Sequence, residues 1–385
     1  MELENFKMQA KTFFGFEGIL AEELKALGAA DVTVKNRLVE FYGDSGFLYK
    51  ANYSLSTALR VLKPIYSFSV KNETQLYDKF KRFPWEDYLD IDQTFVINST
   101  VHSNYFTHSH YAALKVKDAL VDRFNEKFRK RPSVDKSNPD IWFNLHISHD
   151  KVTLSLDSSG ESLHKRGYKI QHGKAPINEV LAAGLLKIAG WNGKGNLLDP
   201  MCGSGTILAE AAIIAANIPP QIHREQFAFQ NWSDYDTDLF DKIKETRINR
   251  ICEFTGKIVG YDNNPEMLRI AEHNMISADL TDFIEVKYQD FFMSEKDLFP
   301  VLIVFNPPYN ERLESDNEKL YKSIGDTLKN NYPNTFAWLI TSDLSAKKYV
   351  GLRPSKKVKV FNGKLECDFL RYDIYEGSKK SKSQN

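Results

Sequence analysis

Along the chain, the spacing of apolar positions switches repeatedly between alternation and helical periodicity, and the switches outline three blocks. The first opens with "KMQAKTFF", which reads as a strand. Phe16, Leu20, Glu23, Leu24 and Leu27 then recur at helical spacing, and Gly28 follows where a left-handed C-cap belongs. "DVTVKN" and "RLVEFYG" predict two further strands, and "GFLYKANYSLSTALRV" predicts a second helix. Residues 1–65 are therefore expected to form a small α+β unit of ferredoxin-like form. In the second block, residues 66–157, "TFVINSTV" alternates as a strand and "YAALKVKDALVDRFNEKF" repeats at helical spacing. "DIWFNLHI" and "KVTLSL" add two more strands. A polar connector is expected over 158–175, leading into a helix that begins near Pro176.

From 176 to 377 strands alternate with helices, the pattern of a doubly wound α/β sheet. The expected parallel strands are "NLLDP", "KIVGYD", "IEVKYQD", "LIVFNPP" and "TFAWLIT". "KKVKVFNGKLECDFLRYDIY" then predicts an antiparallel hairpin turning at Asn362-Gly363, and residues 378–385 read as a frayed basic tail. A parallel sheet finished by such a hairpin is more specific than a generic Rossmann arrangement.

Charge narrows the picture only locally. The 385 residues carry 51 basic and 51 acidic side chains, so a nucleic-acid surface would have to be a local patch. Two patches qualify. Lys127, Arg129, Lys130 and Arg131 cluster beside a helix end, and His164, Lys165 and Arg166 sit at the junction of the second and third blocks. Each reads either as solvated surface or as a set of phosphate contacts, the second set also as a cofactor lid. Three widely spaced cysteines offer neither a disulfide framework nor a zinc knuckle, and no histidine spacing suggests a metal. The charged start and short apolar runs point away from a signal peptide or membrane span. A cytoplasmic protein is expected, with a monomer favoured.

The chemistry concentrates at the ends of the expected parallel strands. In "LLDPMCGSGTILAEAA" a buried strand ends at Asp199-Pro200, passes Cys202-Gly203-Ser204-Gly205 and enters a helix. The glycines allow close approach of a ligand, and the helix N-terminus offers free N–H groups. Leu208 fills the third glycine position of a dinucleotide loop, and no Gly-Lys-Ser/Thr follows, so a zwitterionic amino-acid end group suits the loop better than a phosphate. Asp262-Asn263 ends the next strand, where an acid holds two ribose hydroxyls or caps a helix. In "YQDFF", Asp290 could accept from an adenine amino group with Phe291 on its ring, or simply form a turn.

"VFNPPYNERL" ends the fourth strand at Asn306-Pro307-Pro308-Tyr309. Neither proline donates to a ladder, so the strand stops there. The loop they stiffen presents two acceptors, the Asn306 side chain and the Pro307 carbonyl. Those acceptors suit an exocyclic amino group, whose lone pair is delocalised and which needs its two hydrogens held, while Tyr309 can stack on the base. The amino proton can leave after methyl transfer, so no general base is required. Cys202 lies in the loop rather than the strand-four motif, which argues against a thiolate adduct on cytosine.

Together these residues resemble class I S-adenosylmethionine-dependent amino-methyltransferases. "LDSSGESLHKRGYKIQHGKAPINEVLAAGLL", "LLDPMCGSGTILAEAA" and "HREQFAFQNW" are similar to the THUMP-containing RNA methyltransferases, and in particular to those acting on guanine N2 of 23S ribosomal RNA. The resemblance implies a ferredoxin-like domain, a THUMP domain and a Rossmann-like methyltransferase domain. It implies that Asp199, Gly203, Gly205, Asp262 and Asp290 line the cofactor, and that Asn306, Pro307 and Tyr309 face the base. The family also exists as the first half of a larger two-headed enzyme; the second half is missing here, so one activity is expected. Two rivals stay open: adenine-N6 methylation of DNA or RNA, which shares the motif, and a non-catalytic RNA-binding assembly factor. The two N-terminal α+β blocks favour structured RNA over DNA.

Overall fold

The computed structural model describes residues 4–106, 108–170, 177–297, 301–308, 314–343 and 345–376. The chain opens with β1 (Phe6–Lys11), α1 (Glu17–Leu27), β2 (Ala30–Lys35), β3 (Leu38–Gly43), α2 (Ser45–Ser54) and β4 (Arg60–Ser69). Gly28 ends α1 as expected, at φ +98 with its N–H on the last turn. The second helix is shorter than its sequence suggested, stopping at Ser54 instead of running to Val61. Glu23 of α1 accounts for the stop. Its carboxylate accepts from the backbone N–H and hydroxyl groups of both Ser56 and Thr57, which offers that backbone an alternative to helix. The released residues form β4, a strand whose signal is masked by Pro64, which sits at a register shift between Pro64 and Tyr66.

Next come α3 (Glu73–Arg82), β5 (Thr94–His102), α4 (Ser109–Phe128), β6 (Ser133–Val134), β7 (Ile141–Ser148) and β8 (Lys151–Asp157). The sequence reading missed α3, which buries only Leu76 and Phe80 behind an Asn72 cap. All eight strands form one sheet in the order β2-β3-β1-β4-β8-β7-β5-β6. β4 pairs with β1 on one edge and β8 on the other, so residue 65 falls inside a strand that belongs to both N-terminal units.

The C-terminal domain contains α5 (Glu179–Ile188), β9 (Asn196–Asp199), α6 (Thr206–Ala215), α7 (Thr237–Ile248), β10 (Ile258–Asp262), α8 (Pro265–Ser277), β11 (Ile284–Tyr288), β12 (Val301–Phe305), α9 (Glu314–Asn331), β13 (Thr335–Thr341), α10 (Ala346–Tyr349), β14 (Lys356–Asn362) and β15 (Leu365–Ile374). The order is β11-β10-β9-β12-β13-β15-β14, parallel up to β13 and antiparallel beyond. Asn362 pairs with Leu365, so the hairpin loop is Gly363-Lys364, one residue later than expected, with Gly363 at φ +63. α5 starts from an Asn178 cap; Pro176 and the tail 378–385 lie outside the described residues.

Two apolar layers sandwich this sheet. Leu181, Leu185, Leu208 and Met275 of α5, α6 and α8 share one core with Val304, Trp338 and Ile340. Leu320, Tyr321 and Ile324 of α9 share the other with Ile303, Phe305 and Leu339. The N-terminal sheet is docked on this domain, not tethered to it. Phe16 is fully buried in the first core, against the helix face at Gly184, where an added methyl would collide with its ring. The stretch expected as a connector is packed as well: Ser158, Ser159, Leu163, Arg166 and Tyr168 are all at most 1% exposed. Among the described residues, no helix is long and apolar enough to cross a membrane.

Candidate active site

In the C-terminal sheet the strand order reverses at β9, whose neighbours are β10 on one side and β12 on the other. Such a switch point leaves a crevice beyond the carboxyl ends of the strands. Asp199, Asp262 and Asn306, chosen from sequence, all fall at that edge: the first two end β9 and β10, and Asn306 directly follows β12. The loop above β9 is built on left-handed backbone, Gly203 at φ +53 and Gly205 at φ +80. A methyl on Gly203 would meet no described atom within 4 Å, so open space lies above the loop. At Gly205 it would press on Met275 Cε at 3.0 Å, so that glycine serves the close approach of α6 to α8.

Asp262 is tied down at both oxygens, accepting from Gly203 N and Asn264 N at 2.9 Å each. It thereby holds the end of β10 against the glycine loop, while the next residue, Asn263, is exposed. Asp199 is 1% exposed and accepts from Met201 N at 3.2 Å. Burial pushes its carboxyl well above the usual range, and the neighbouring Asp262 charge pushes it the same way. Such a carboxyl is suited to a cationic partner. Pro200 is buried beside it.

Two further residues that support the loop were not predicted from the sequence. Thr206, first in α6, has a buried hydroxyl with no partner among the described residues. Asn274 of α8 is wholly buried; its amide donates to Ser204 O and its carbonyl accepts from Ile170 N, each at 3.1 Å, linking the glycine loop to the connecting strap. A threonine directly after G-x-G was a readable signal. Asn274 gave none, because its role depends on a contact seventy residues away.

Other expectations need correction. Cys202 turns its thiol into the first core, where burial pushes its pKa well up, so only its backbone belongs to the loop. Asp290 caps a short turn by accepting from Phe292 N at 2.9 Å. Phe291 is 2% exposed and packs on Phe292, Phe305 and Tyr332 in the opposite core, so its ring is not free to cover an adenine; Phe292, half-buried, is the adjacent aromatic.

Asn306 carries the most telling feature of the edge. Its Oδ1 is buried and has no hydrogen-bond partner among the described residues. Buried amide oxygens are nearly always paired, so this one is an acceptor awaiting a donor. Pro307 is buried and Pro308 exposed, and Tyr309 lies outside the described residues.

The basic residues divide by their surroundings. Lys127 joins Arg123 on Glu86, whose carboxyl Arg123 and Lys127 hold down at about 2. Lys130 pairs with Asp92, whereas Arg129, the left-handed C-cap of α4, and Arg131 are exposed and make no ion pair among the described residues. Lys165 pairs with Glu161 at the surface, and His164 accepts or donates at Ser162 Oγ, 2.9 Å away, with burial lowering its pKa. Arg166 is no phosphate contact. Its side chain is 0% exposed and donates to Glu210 at 3.2 and 3.3 Å, Leu163 O at 2.9 Å and Ser56 O at 2.6 Å. A cavity of about 700 Å³ lies apart from the glycine loop, walled by Trp142, His164, Lys165 and Arg224 among others.

Comparison with known proteins bears on this geometry. Residues 166–371 match the RMKL-like methyltransferase domain, residues 70–157 the THUMP domain and residues 7–62 the RlmL ferredoxin-like domain. A protein of Synechocystis sp. named as a candidate RNA methyltransferase, slr0064, is 36% identical over 94% of this chain and 95% of its own. The chain belongs to the RMKL-like methyltransferase family. Another member, the ribosomal RNA large subunit methyltransferase K/L of Syntrophotalea carbinolica, is 38% identical over 94% of this chain, which spans 53% of that relative's length. The crystal structure of SMU.472, a candidate methyltransferase solved with SAH, superposes with a TM-score of 0.86 at 26% identity, covering 98% of this chain and 100% of that one. The fold is therefore a Rossmann-like methyltransferase domain behind ferredoxin-like and THUMP domains.

Replacing Arg166 by Met would strand Glu210, itself 0% exposed, without its cation. Breaking a buried pair in this way costs about 3–5 kcal/mol, and replacing both partners by apolar residues restores much of it. Urea unfolding of Arg166→Met and of the double variant with Glu210→Met checks this; a single variant as stable as the parent would contradict it.

Proposed function

We propose that this chain transfers a methyl group from S-adenosylmethionine to the exocyclic N2 of a guanosine in 23S ribosomal RNA. The observation that carries the reading is the buried oxygen of Asn306 at the end of β12, which has no partner among the described residues. Family membership supplies the reaction class, and the name of the Syntrophotalea relative supports a large-subunit ribosomal RNA.

The residues present fit the cofactor: a buried carboxyl at Asp199 and, among the described residues, open space over Gly203 and an unpaired hydroxyl at Thr206. Asp199 and the α6 N-terminus would hold the amino-acid end, Asp262 the ribose hydroxyls, and the Asp290 turn the adenine side. When bound, the sulfonium supplies an electrophilic methyl group. The chain's own work is positional. Asn306 Oδ1 and the Pro307 carbonyl accept the two N2 hydrogens and so aim the nitrogen, while the prolines limit the loop's freedom. Tyr309, which lies outside the described residues, is assigned from the sequence motif to stack on the base. The proton leaves the methylated amine to water, so no side chain needs a shifted pKa for chemistry.

RNA would be gripped by the THUMP part through Arg129 and Arg131, aided by Lys127 and Lys130, with His164 and Lys165 meeting it at the wall of the 700 Å³ cavity. One chain carries every residue invoked, so a monomer suffices, working in the cytoplasm where the rRNA is.

Asn306→Ala is expected to keep S-adenosylhomocysteine affinity within about twofold by calorimetry while tritium transfer to unmodified rRNA falls roughly 10²-fold, the scale for losing one aligned hydrogen-bonding group at a reacting centre. Full transfer would refute the amino-positioning role. The cofactor's ammonium favours ionised Asp199, whose pKa is raised in the free protein. Binding should therefore expel a proton, and affinity should rise with pH above the ordinary carboxylate value of about 3.9 until free Asp199 is ionised. Calorimetry in buffers of different ionisation enthalpy reads this release. A flat profile, or one unaltered by Asp199→Asn, would contradict it.

A further inference from the structure

A second buried oxygen without a partner among the described residues, Ser342 Oγ, directly follows the strand next to β12. β12 and β13 are parallel neighbours, with Phe305 opposite Leu339. Their side chains alternate between the two faces of the sheet. Val304, Trp338 and Ile340 belong to the core under α5 and α6, and Ile303, Phe305 and Leu339 to the core under α9. Thr341 keeps the count, its hydroxyl meeting Tyr321 of α9 at 2.6 Å. Continued one residue past each strand, the same alternation assigns Asn306 and Ser342 to the α5–α6 face, the side that carries the glycine loop. Carried one residue further, the register sets Asn306 opposite Ile340, so Ser342 lies two residues along the neighbouring strand direction from it.

The polar groups around Ser342 are otherwise spoken for. Thr341 Oγ1 accepts from Asp343 N at 3.0 Å, and Asp343 Oδ1 accepts from Ser345 N at 2.9 Å and from Ser345 Oγ at 2.6 Å. Ser342 Oγ alone of these is buried without a partner among the described residues, as is Asn306 Oδ1. Two shielded, unsatisfied oxygens on one face of adjacent strand ends are a cost that folding does not require.

We infer that Ser342 is a specificity-determining residue that reads the Watson–Crick edge of the target base next to the amino group held at Asn306. This rests on the function proposed above. With guanine N2 at Asn306, the next groups along the edge are the N1–H donor and the O6 acceptor, and a hydroxyl serves both because it accepts and donates. Adenine presented by N6 offers only the bare N1 there, so the hydroxyl is satisfied as a donor alone. Ser342 thus supplies the discrimination between guanine N2 and adenine N6 that the Asn306 motif lacks.

The test replaces the guanosine that receives the label by 2-aminopurine riboside, which keeps the N2 amine and lacks N1–H and O6. Parent enzyme should prefer guanine. Ser342→Ala should lower kcat/KM on guanine roughly tenfold and on 2-aminopurine by less, because the bare N1 there takes only one hydrogen bond from the hydroxyl, with unchanged S-adenosylhomocysteine affinity and unfolding midpoint. Ser342→Thr, which keeps the hydroxyl, should restore the preference. An active guanine enzyme whose preference survives Ser342→Ala, or which loses equally on both bases, would overturn this inference alone. Label on adenine instead would overturn the guanine reading and this inference with it.

Discussion

One buried ion pair, Arg166 with Glu210, joins the helix behind the glycine loop to the strap and the N-terminal unit. Its guanidinium reaches three parts of the chain at once: Glu210 on α6, Leu163 in the strap, and Ser56 in the N-terminal unit. α6 is the helix that begins at the glycine loop, so the same ion pair that pins the strap also fixes the loop's supporting helix against the N-terminal sheet. Two fully buried charges are expensive to desolvate, and their mutual attraction offsets that only with good geometry. What the pair supplies here is register between domains. Asn274 repeats the logic one step nearer the chemistry, joining Ile170 of the strap to Ser204 of the loop.

A fixed register matters because the proposed chemistry is positional. The N-terminal sheet is continuous through β4, which pairs with β1 and β8, and Phe16 seats it in the core under α5. A substrate gripped on the THUMP part is therefore presented to the β12 edge from a defined direction. There the protein offers oriented acceptors, which suits a weak amine nucleophile and an activated methyl group.

The C-terminal domain was legible in the sequence because its strands are short apolar runs, and the polar endings at Asp199, Asp262 and Asn306 fell at the switch-point edge. The legibility failed where a distant residue decides the outcome. α2 was read too long because Glu23, in another helix, claims the backbone at Ser56 and Thr57. β4 was hidden by Pro64 at its bulge. Arg166 read as solvated surface or as a phosphate contact since its partner lies 44 residues on, and Phe291 looked like a cofactor contact because adjacency to Asp290 says nothing about which way a ring turns. Asn274 and Ser342 were invisible for the same reason: one is defined by contacts far along the chain and the other by the absence of any.

The reaction proposed for the Asn306 edge is methylation of an exocyclic amine of guanine in ribosomal RNA. The most direct measurement is transfer of tritiated methyl from S-adenosylmethionine to unmodified 23S rRNA, 16S rRNA, tRNA and duplex DNA, followed by digestion and identification of the labelled nucleoside. The account predicts N2-methylguanosine, in 23S rRNA. N6-methyladenosine, or label in DNA, would contradict it.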